Sequence, residues 1–303
     1  MEGGRKLDVA RRTAGALLIL ALGAICHADD LDRGLELSRA GRFDEARTTF
    51  LEGQRSAPRD KRYLLELAGL AYREKKLNEA ARYLRRALTL DPSDAYGNDF
   101  LGTIYFLEGN LEAALRHWNR IGKPQISDVT VAPKPGLNPV VLDSALAFSP
   151  RSLLALDALR TTEARLDALD VFPAYRIELS APAEDRFEAG IHWLQLPAWM
   201  EAASMLRGVA YQTVEPVARD IGGSGVNWSS LLRWDAQKRR VATSVSGPFR
   251  HSARWRYHWY ADARRETWNT GGPQDFRLGT LATGVELEGI PNGRVSWRTG
   301  LEV

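Results

Sequence analysis

Few residues in this chain have the type and spacing that catalysis or metal binding requires. The run Gly222-Gly223-Ser224-Gly225 lacks the following lysine and the strand-to-helix context of a phosphate-binding loop. Glu184 and Asp185 are adjacent, which favours a turn over an acid/base pair. The histidines after residue 28 are scattered: His117, His192, His251 and His258. We therefore predict that the protein is not an enzyme and has no metal site and no cofactor.

The composition is that of an ordinary globular protein. The chain has 303 residues, of which 44% are hydrophobic and 26% charged. Its formal net charge is +3, and the first 28 residues hold four basic and two acidic side chains. So small a charge disfavours nucleic-acid binding, because neutralising phosphates needs a concentrated basic surface.

The N-terminal segment has the pattern of an export signal. Two arginines precede an apolar run over residues 13–25, and Cys26 and Ala28 place small residues before a cleavage site. The run is shorter than the about 20 residues that span a membrane. We predict that residues 1–28 are a cleaved signal peptide. Since Cys26 is the only cysteine, the mature chain would have no disulfide.

Residues 29–126 repeat with a period of 34. A small residue, an alanine and a large apolar residue recur in three columns: Gly34, Ala68 and Gly102; Ala46, Ala80 and Ala114; Phe50, Leu84 and Trp118. The small residues allow two helices to approach closely, and the large side chains fill the remaining space. Pro58 and Pro92 end the first two helix pairs, because proline cannot continue a helix.

This pattern resembles the tetratricopeptide repeat. The resemblance implies three helix pairs in a short α-helical solenoid, with a partner-binding groove formed by the first helix of each pair. We predict nine residues in that groove: Leu31, Leu35, Arg39, Arg62, Tyr72, Arg73, Tyr96, Asp99 and Phe106. Alternatively, these side chains pack against the following domain.

A linker and a small α+β domain are predicted next. Pro133, Pro135 and Gly136 disfavour helix and strand, so residues 127–138 are assigned to a linker. Within residues 139–200 the pattern predicts strands at 140–142 and 145–148. A helical stretch from residue 150 and two alternating strands follow.

The order strand, helix, helix, strand, strand resembles a POTRA domain, a periplasmic module of the outer-membrane assembly superfamily. The strand containing Tyr175, Ile177 and Leu179 could then be an edge to which an extended client adds a strand.

Residues 201–303 alternate with period two. From Ala253 to Ala263, apolar or small residues occupy the odd positions, and charged or polar residues occupy the even ones. This predicts about five strands at 225–235, 239–247, 253–268, 276–289 and 293–303. Transmembrane barrel strands have this length and alternation. The residues predicted to face outer-membrane lipid are Trp228, Leu232, Trp234, Trp255, Tyr257, Trp259, Val295 and Trp297.

Four segments resemble the start of the barrel in the bacterial surface antigen superfamily of BamA- and TamA-like proteins. They are residues 206–208, 211–216, 230–240 and 246–248, and the resemblance, taken with the preceding module, covers roughly residues 138–303. It implies a sixteen-stranded barrel. Because five strands leave an edge that lipid cannot satisfy, we expect the chain to be a piece of a longer protein or to need partner chains.

The predicted fold is therefore multidomain: tetratricopeptide solenoid, POTRA-like domain and partial antiparallel transmembrane β-barrel. We predict a bacterial outer-membrane protein with periplasmic N-terminal domains. These would bind periplasmic protein partners or unfolded outer-membrane clients for assembly or translocation. The alternatives are an exopolysaccharide export protein of the repeat-plus-barrel type and a soluble periplasmic repeat scaffold.

Overall fold

The computed structural model describes residues 30–183, 186–268 and 276–303. The chain divides into two compact units, one ending at Ile121 and the other beginning at Gly122. The predicted signal peptide and the predicted turn at Glu184 and Asp185 lie outside the described residues. None of the described helices is long and apolar enough to cross a membrane.

The first unit consists of three antiparallel helix pairs. The six helices are α1 (30–39), α2 (Phe43–Ser56), α3 (Lys61–Arg73), α4 (Leu77–Leu90), α5 (Ala95–Leu107) and α6 (Leu111–Trp118). Asp60 and Asp94 cap α3 and α5, each accepting a hydrogen bond from a backbone amide of the first turn. The turn between the two helices of each pair places one residue in the left-handed region: Gly41, Lys75 and Gly109.

The repeat columns have a direct packing explanation. A Cβ atom on Gly34 would overlap the Phe50 ring, and one on Gly102 would overlap the Trp118 ring. The large residue therefore fills the space beside the small residue of its own helix pair. Phe50, Leu84 and Trp118 are all buried.

The second unit begins with a three-stranded mixed sheet and two helices. Its elements are β1 (Ile126–Ala132), α7 (Pro139–Ala145), α8 (Leu156–Leu169), β2 (Tyr175–Ala183) and β3 (Arg186–Trp193). The strand order is β1-β3-β2, with β1 parallel and β2 antiparallel to the central β3. We call this part the α+β module.

The predicted linker at 127–138 is wrong over its first half, because β1 occupies Ile126–Ala132, whereas residues 133–138 are irregular. Val129 and Val131 carry the alternation of a strand, and the prolines that follow end the strand rather than exclude it. The first unit ends at Ile121, so the predicted boundaries at 126 and 139 both lie too late in the chain.

The strands predicted at 140–142 and 145–148 are also wrong. Pro139–Ala145 is the helix α7, and residues 146–148 are irregular. The Asn138 side chain accepts a hydrogen bond from the Val140 amide, and Pro139 occupies the first helical turn. This N-terminal capping outweighs the strand preference of the valines.

The rest of the second unit is a large antiparallel sheet preceded by α9 (Ala198–Met205). Two short strands, β4 (Thr213–Val214) and β5 (Val217–Ala218), pair with the first long strand. The five long strands are β6 (Asn227–Trp234), β7 (Lys238–Phe249), β8 (Ser252–Trp268), β9 (Phe276–Asn292) and β10 (Val295–Glu302). They agree with the five predicted strands to within a few residues. The order is β10-β9-β8-β7-β6-β4, and the described strands form an open sheet, not a closed barrel.

The α+β module packs against one end of the large sheet. Its apolar core contains Leu166 and Ile191 and also Ala253 of β8. The Arg165 guanidinium, 3% exposed, donates hydrogen bonds to the carbonyls of Ile290 (3.3 Å) and Pro291 (3.0 Å). Burial lowers the pKa of Arg165, and the nearby Arg254 charge acts in the same direction.

Replacing Arg165 with Met should destabilise the second unit by about 2–4 kcal/mol, because buried carbonyls would lose their donor. The free energy of unfolding, followed by tryptophan fluorescence in urea, measures this loss. Arg207→Met is the matched control, since Arg207 is exposed. Equal stability of the two variants would contradict the role assigned to Arg165.

Candidate binding surfaces

The exposed sides of α1, α3 and α5 form the first candidate surface, which we call the groove face. Residues 34 apart occupy equivalent positions on it, such as Arg39 and Arg73. The Phe100 ring lies 5.3 Å from Tyr72, edge-on, and 5.8 Å from Tyr96. Helices α3 and α5 thus share one aromatic cluster on this face.

Five of the nine predicted groove residues are exposed: Arg39, Arg62, Tyr72, Arg73 and Tyr96. Leu31 is not on the surface, because it is 8% exposed and belongs to the core around Phe50. Leu35 is half-buried against the same core. Leu31 therefore stabilises the solenoid and does not line a groove.

Asp99 and Phe106 are half-buried, and each contacts Trp118 of α6. The Phe106 ring lies 5.4 Å from Trp118, whose Nε1 donates a hydrogen bond to the Asp99 carbonyl at 3.2 Å. Both residues therefore help to pack the third helix pair. Their contribution to a binding surface is limited to the part that remains exposed.

Sequence reasoning missed Glu66, Gly69 and Phe100. Glu66 and Phe100 are 34 residues apart, so extending the repeat columns would have placed both on the groove face. A Cβ atom on Gly69 would meet no atom within 4 Å, which shows open space above the middle of α3. These residues complete the surface between the two arginines and the aromatic cluster.

Glu66 sets the electrostatics of the groove face. Burial raises the pKa of its carboxyl group, while the charges of Arg73 and Arg39 act in the opposite direction. The Arg73 guanidinium also donates a hydrogen bond to Ser38 Oγ at 3.2 Å. Around Glu66 the face therefore combines the two cationic groups of Arg39 and Arg73 with one half-buried acid, beside aromatic rings.

A buried polar network fixes α5 against α6. The Asn98 amide nitrogen donates to the carbonyls of Pro92 and Asp94, and its Oδ1 lies 3.0 Å from His117 Nδ1. Burial, followed by the charges of Arg120 and Arg116, lowers the pKa of His117 to about 4. The imidazole is therefore neutral at pH 7, and its Nδ1–H can donate to Asn98.

The second candidate surface is the edge strand β2. The strand order β1-β3-β2 places the predicted residues Tyr175, Ile177 and Leu179 in a strand at the end of the sheet. Tyr175 and Ile177 pack against the module core, and Leu179 is buried. The Tyr175 hydroxyl donates a hydrogen bond to the Asp167 carboxylate at 2.6 Å, and burial raises the pKa of Tyr175. A strand added here would therefore pair with the β2 backbone rather than contact these side chains.

The third candidate surface is one face of the large sheet. Its strand register aligns Trp228, Val245, Trp259, Val285 and Leu301 in a single row across five strands. Ten exposed side chains define this apolar face: Trp228, Leu232, Trp234, Val241, Trp255, Trp259, Leu281, Val285, Trp297 and Leu301. Trp255 and Trp297 contact each other edge-on at 5.3 Å near the module.

Two predicted lipid-facing residues are placed differently from the others. Tyr257 has the same phase as Trp255 and is half-buried. Val295 precedes a register shift at the start of β10 and lines a cavity with Arg256 and Arg298. Val295 is therefore outside the aligned rows.

The opposite face of the sheet, which we call the polar face, carries charged side chains that pair with one another and, at the end remote from the module, three exposed apolar residues: Trp268, Phe276 and Leu278. Arg240 forms an ion pair with Asp262 at 2.7 Å, and Arg298 forms one with Glu288 at 3.2 Å. The Tyr260 hydroxyl donates a hydrogen bond to Glu302 at 2.7 Å. Charges on this face are therefore compensated across neighbouring strands.

The glycine-rich run before β6 is a closed turn. Asp220 Oδ1 accepts a hydrogen bond from the Gly225 amide at 2.8 Å, and the Gly223 carbonyl accepts one from Asn138. A carboxylate thus occupies the position where a bound phosphate would need free donors. Within the described ranges, no group of three or more His, Cys, Asp or Glu side chains could hold a metal ion.

Comparison with known proteins identifies the repeats alone. The tetratricopeptide repeat family matches residues 31–95. The second such domain of Spaghetti (RPAP3), bound to an HSP90 peptide, is 20% identical, covering 31% of this chain and 88% of that chain, with a TM-score of 0.30. The chaperone SycD of the Yersinia enterocolitica type III secretion translocator is 13% identical, covering 31% and 71%, with a TM-score of 0.30. No curated protein matches the chain.

Residues 31–95 are therefore tetratricopeptide repeats, which are scaffolds for protein–protein interaction. Among the described residues from Gly122 onward, the chain forms the α+β module and a large antiparallel sheet. The comparisons do not connect these parts to the BamA- and TamA-like superfamily.

The His117 contact makes the stability of the helical repeats depend on pH. Its folded-state pKa lies below the ordinary 6.5, so stability is fully present above pH 6.5 and is lost as the pH falls towards 4. Between pH 7 and 5 the loss should be about 1–2 kcal/mol. His117→Gln keeps a donor for Asn98 and should flatten this dependence. Urea unfolding followed by circular dichroism at 222 nm tests it, and parallel pH profiles of the two proteins would refute the assignment.

Proposed function

We propose that this protein is a non-enzymatic scaffold that binds a protein partner on the groove face of its repeats. The observation that carries the proposal is the exposed cluster of Tyr72, Tyr96 and Phe100 beside Arg39 and Arg73. Tyr96 is 62% exposed, so a partner can contact its ring directly. Aromatic and arginine side chains dominate the binding energy of protein interfaces.

The chemistry of the groove face favours an extended segment with an apolar side chain and an acidic group. The apolar side chain would lie on the Phe100 cluster, over the open space at Gly69. The acidic group would pair with Arg39 and Arg73. Their two positive charges are larger in sum than the negative charge of nearby Glu66. A bidentate arginine–carboxylate contact would fix the orientation of the segment.

The finer proposal places this scaffold at the bacterial outer membrane, as a BamA/TamA-like protein with periplasmic repeats and a POTRA-like module. The partner would then be a periplasmic protein or an unfolded outer-membrane client. Three features support this: the predicted signal peptide, the parallel pairing of β1 with β3 around two helices, and the exposed apolar face of the long strands. The sheet would be part of a transmembrane barrel.

A soluble periplasmic scaffold is the second candidate, because the repeats are the part of the chain for which a family is identified. In that case another protein layer would cover the apolar face. The two candidate functions share the groove face. They differ in whether lipid or another protein contacts Trp259 on the apolar face. Separate experiments on the two surfaces therefore distinguish them.

Filling the groove face should prevent partner binding without unfolding the repeats. Gly69→Leu has room for its side chain and replaces a glycine within α3, so the helix should be at least as stable. A photo-crosslinking residue at position 62, which is also exposed on the groove face, should give a discrete protein product in cells, and Gly69→Leu should abolish it. Arg39→Ala with Arg73→Ala should reduce that product about tenfold.

The matched control is Arg55→Ala with Arg86→Ala, which removes two exposed arginines from α2 and α4. This pair should leave the crosslinked product unchanged. If the groove-face and control pairs reduce the product equally, partner binding by the groove face is refuted. A crosslinker at position 86 should give no such product.

Neighbouring residues on β8 test whether the apolar face contacts lipid. Trp259→Arg should cost about 2–4 kcal/mol of stability in the lipid-bound state, because arginine near the bilayer centre is unfavourable. His258 lies on the polar face beside Glu286, so His258→Arg should change the stability little. Urea unfolding from lipid vesicles measures both. Equal effects would favour the soluble scaffold.

A further inference from the structure

Two arginines lie directly opposite each other at the end of the apolar face remote from the module. Arg239 on β7 is paired in register with Arg265 on β8, and both side chains are exposed. Among the described residues, neither guanidinium forms an ion pair or hydrogen bond within the structure. Like charges at opposed positions destabilise an antiparallel pair. The stability of the sheet therefore does not account for this arrangement.

The neighbouring arginine pair shows the contrast. Arg240 is paired with Arg264 in the same register but on the polar face. There Arg240 forms its ion pair with Asp262, and Arg264 donates to Thr280 Oγ1 at 2.7 Å. The sheet thus compensates one arginine pair and leaves the other free. The uncompensated pair is on the face where the surrounding side chains are apolar.

Arg239 and Arg265 line an open cleft of about 900 Å³. Its remaining walls on the same face include Trp234, Val241 and Leu281, all exposed. Trp234 is the register partner of Arg239, so an aromatic ring lies directly beside the cationic pair. A ligand suited to this cleft has an anionic group and a contiguous apolar part.

We propose that the Arg239–Arg265 pair binds the phosphate of an anionic phospholipid headgroup. Opposed residues have Cβ atoms about 5 Å apart, so both guanidinium groups can reach one phosphate. Arginine presents its donors in a planar fork that matches phosphate oxygens. The acyl chains lie along Val241 and Leu281, towards the middle of the apolar face.

The apolar walls favour a lipid over a free phosphate ion. Two exposed arginines in water hold a small anion weakly, because solvent and salt screen the charges. Burial of acyl carbon against Trp234, Val241 and Leu281 supplies the additional free energy. The inference rests on the proposal that this face contacts lipid, and it adds the position and charge of the lipid.

Fluorescence quenching of Trp234 tests the proposal on the full chain in detergent micelles. The probe is phosphatidylglycerol brominated on its acyl chains, with brominated phosphatidylcholine for comparison. The fluorescence of Trp234 is obtained by subtracting the fluorescence of the Trp234→Phe variant from that of the unmodified protein. Phosphatidylglycerol should quench Trp234 at an about tenfold lower mole fraction than phosphatidylcholine.

Three double variants complete the experiment. Arg239→Gln with Arg265→Gln should abolish the preference for phosphatidylglycerol, and it should raise the melting temperature without lipid because the repulsion is removed. Arg239→Lys with Arg265→Lys should keep part of the preference. Arg250→Gln with Arg254→Gln removes equal charge near the module, at the other end of β7 and β8, and should keep all of it.

Equal quenching by the two lipids, or an unchanged preference in the Arg239/Arg265 glutamine variant, would overturn the proposal. Full reversal of the quenching by millimolar inorganic phosphate would instead identify a free-anion site. The fluorescence of Trp259 is obtained in the same way, with the Trp259→Phe variant. Its quenching reports on the apolar face as a whole. Quenching of Trp259 by both lipids without selectivity at Trp234 would leave the membrane proposal standing and refute only this site.

Discussion

The second unit depends on the burial of one guanidinium group. Arg165 on α8 donates to the carbonyls of Ile290 and Pro291 at the end of β9, and also to the Ser144 carbonyl at the end of α7. A charge in so apolar a place is tolerated because its donors meet backbone acceptors that also need partners. The contact fixes the position of the sheet relative to the α+β module.

This junction matters because the long strands have little other support. Among the described residues, the sheet has one polar face whose charged side chains pair with one another and one apolar face that is exposed. The shared core with the module includes Ala253 of β8. Asn227 at the start of β6 also donates to the Leu169 carbonyl at 2.7 Å. Strand direction and register are thus fixed at the module end and continue outward by backbone pairing.

The repeats and the long strands could be predicted because their patterns are periodic. A period of 34 aligns Gly34 with Gly102 and Phe50 with Trp118, and each alignment corresponds to a packing contact. A period of two fixes which side chains share a face of a strand. Helix α7 could not be found in this way, because it is short and depends on the Asn138 cap rather than on periodicity. Strand β1 was hidden by the prolines that end it.

The same limits apply to the binding surfaces. Tyr72 and Tyr96 could be placed from the repeat register, but their contact through Phe100 depends on how α3 packs against α5. The opposition of Arg239 and Arg265 depends on the β7–β8 register, which the turn fixes and the hydrophobic pattern alone does not. Sequence reasoning therefore identified faces and missed the contacts between neighbouring elements.

The distribution of charge on the apolar face is consistent with the proposed contact with lipid. Trp255 and Arg265 are ten residues apart on β8, about 34 Å along the strand, or about 25 Å across a bilayer at a typical strand tilt. Between them the outward residues of β8 are uncharged, while Arg239 and Arg265 lie at the end remote from the module. Arg250 lies at the module end, in the turn between β7 and β8, with its guanidinium 5.4 Å from the Phe249 ring. An apolar band with cationic groups at its ends matches the order of acyl chains and headgroups in a bilayer, which favours lipid over a covering protein layer.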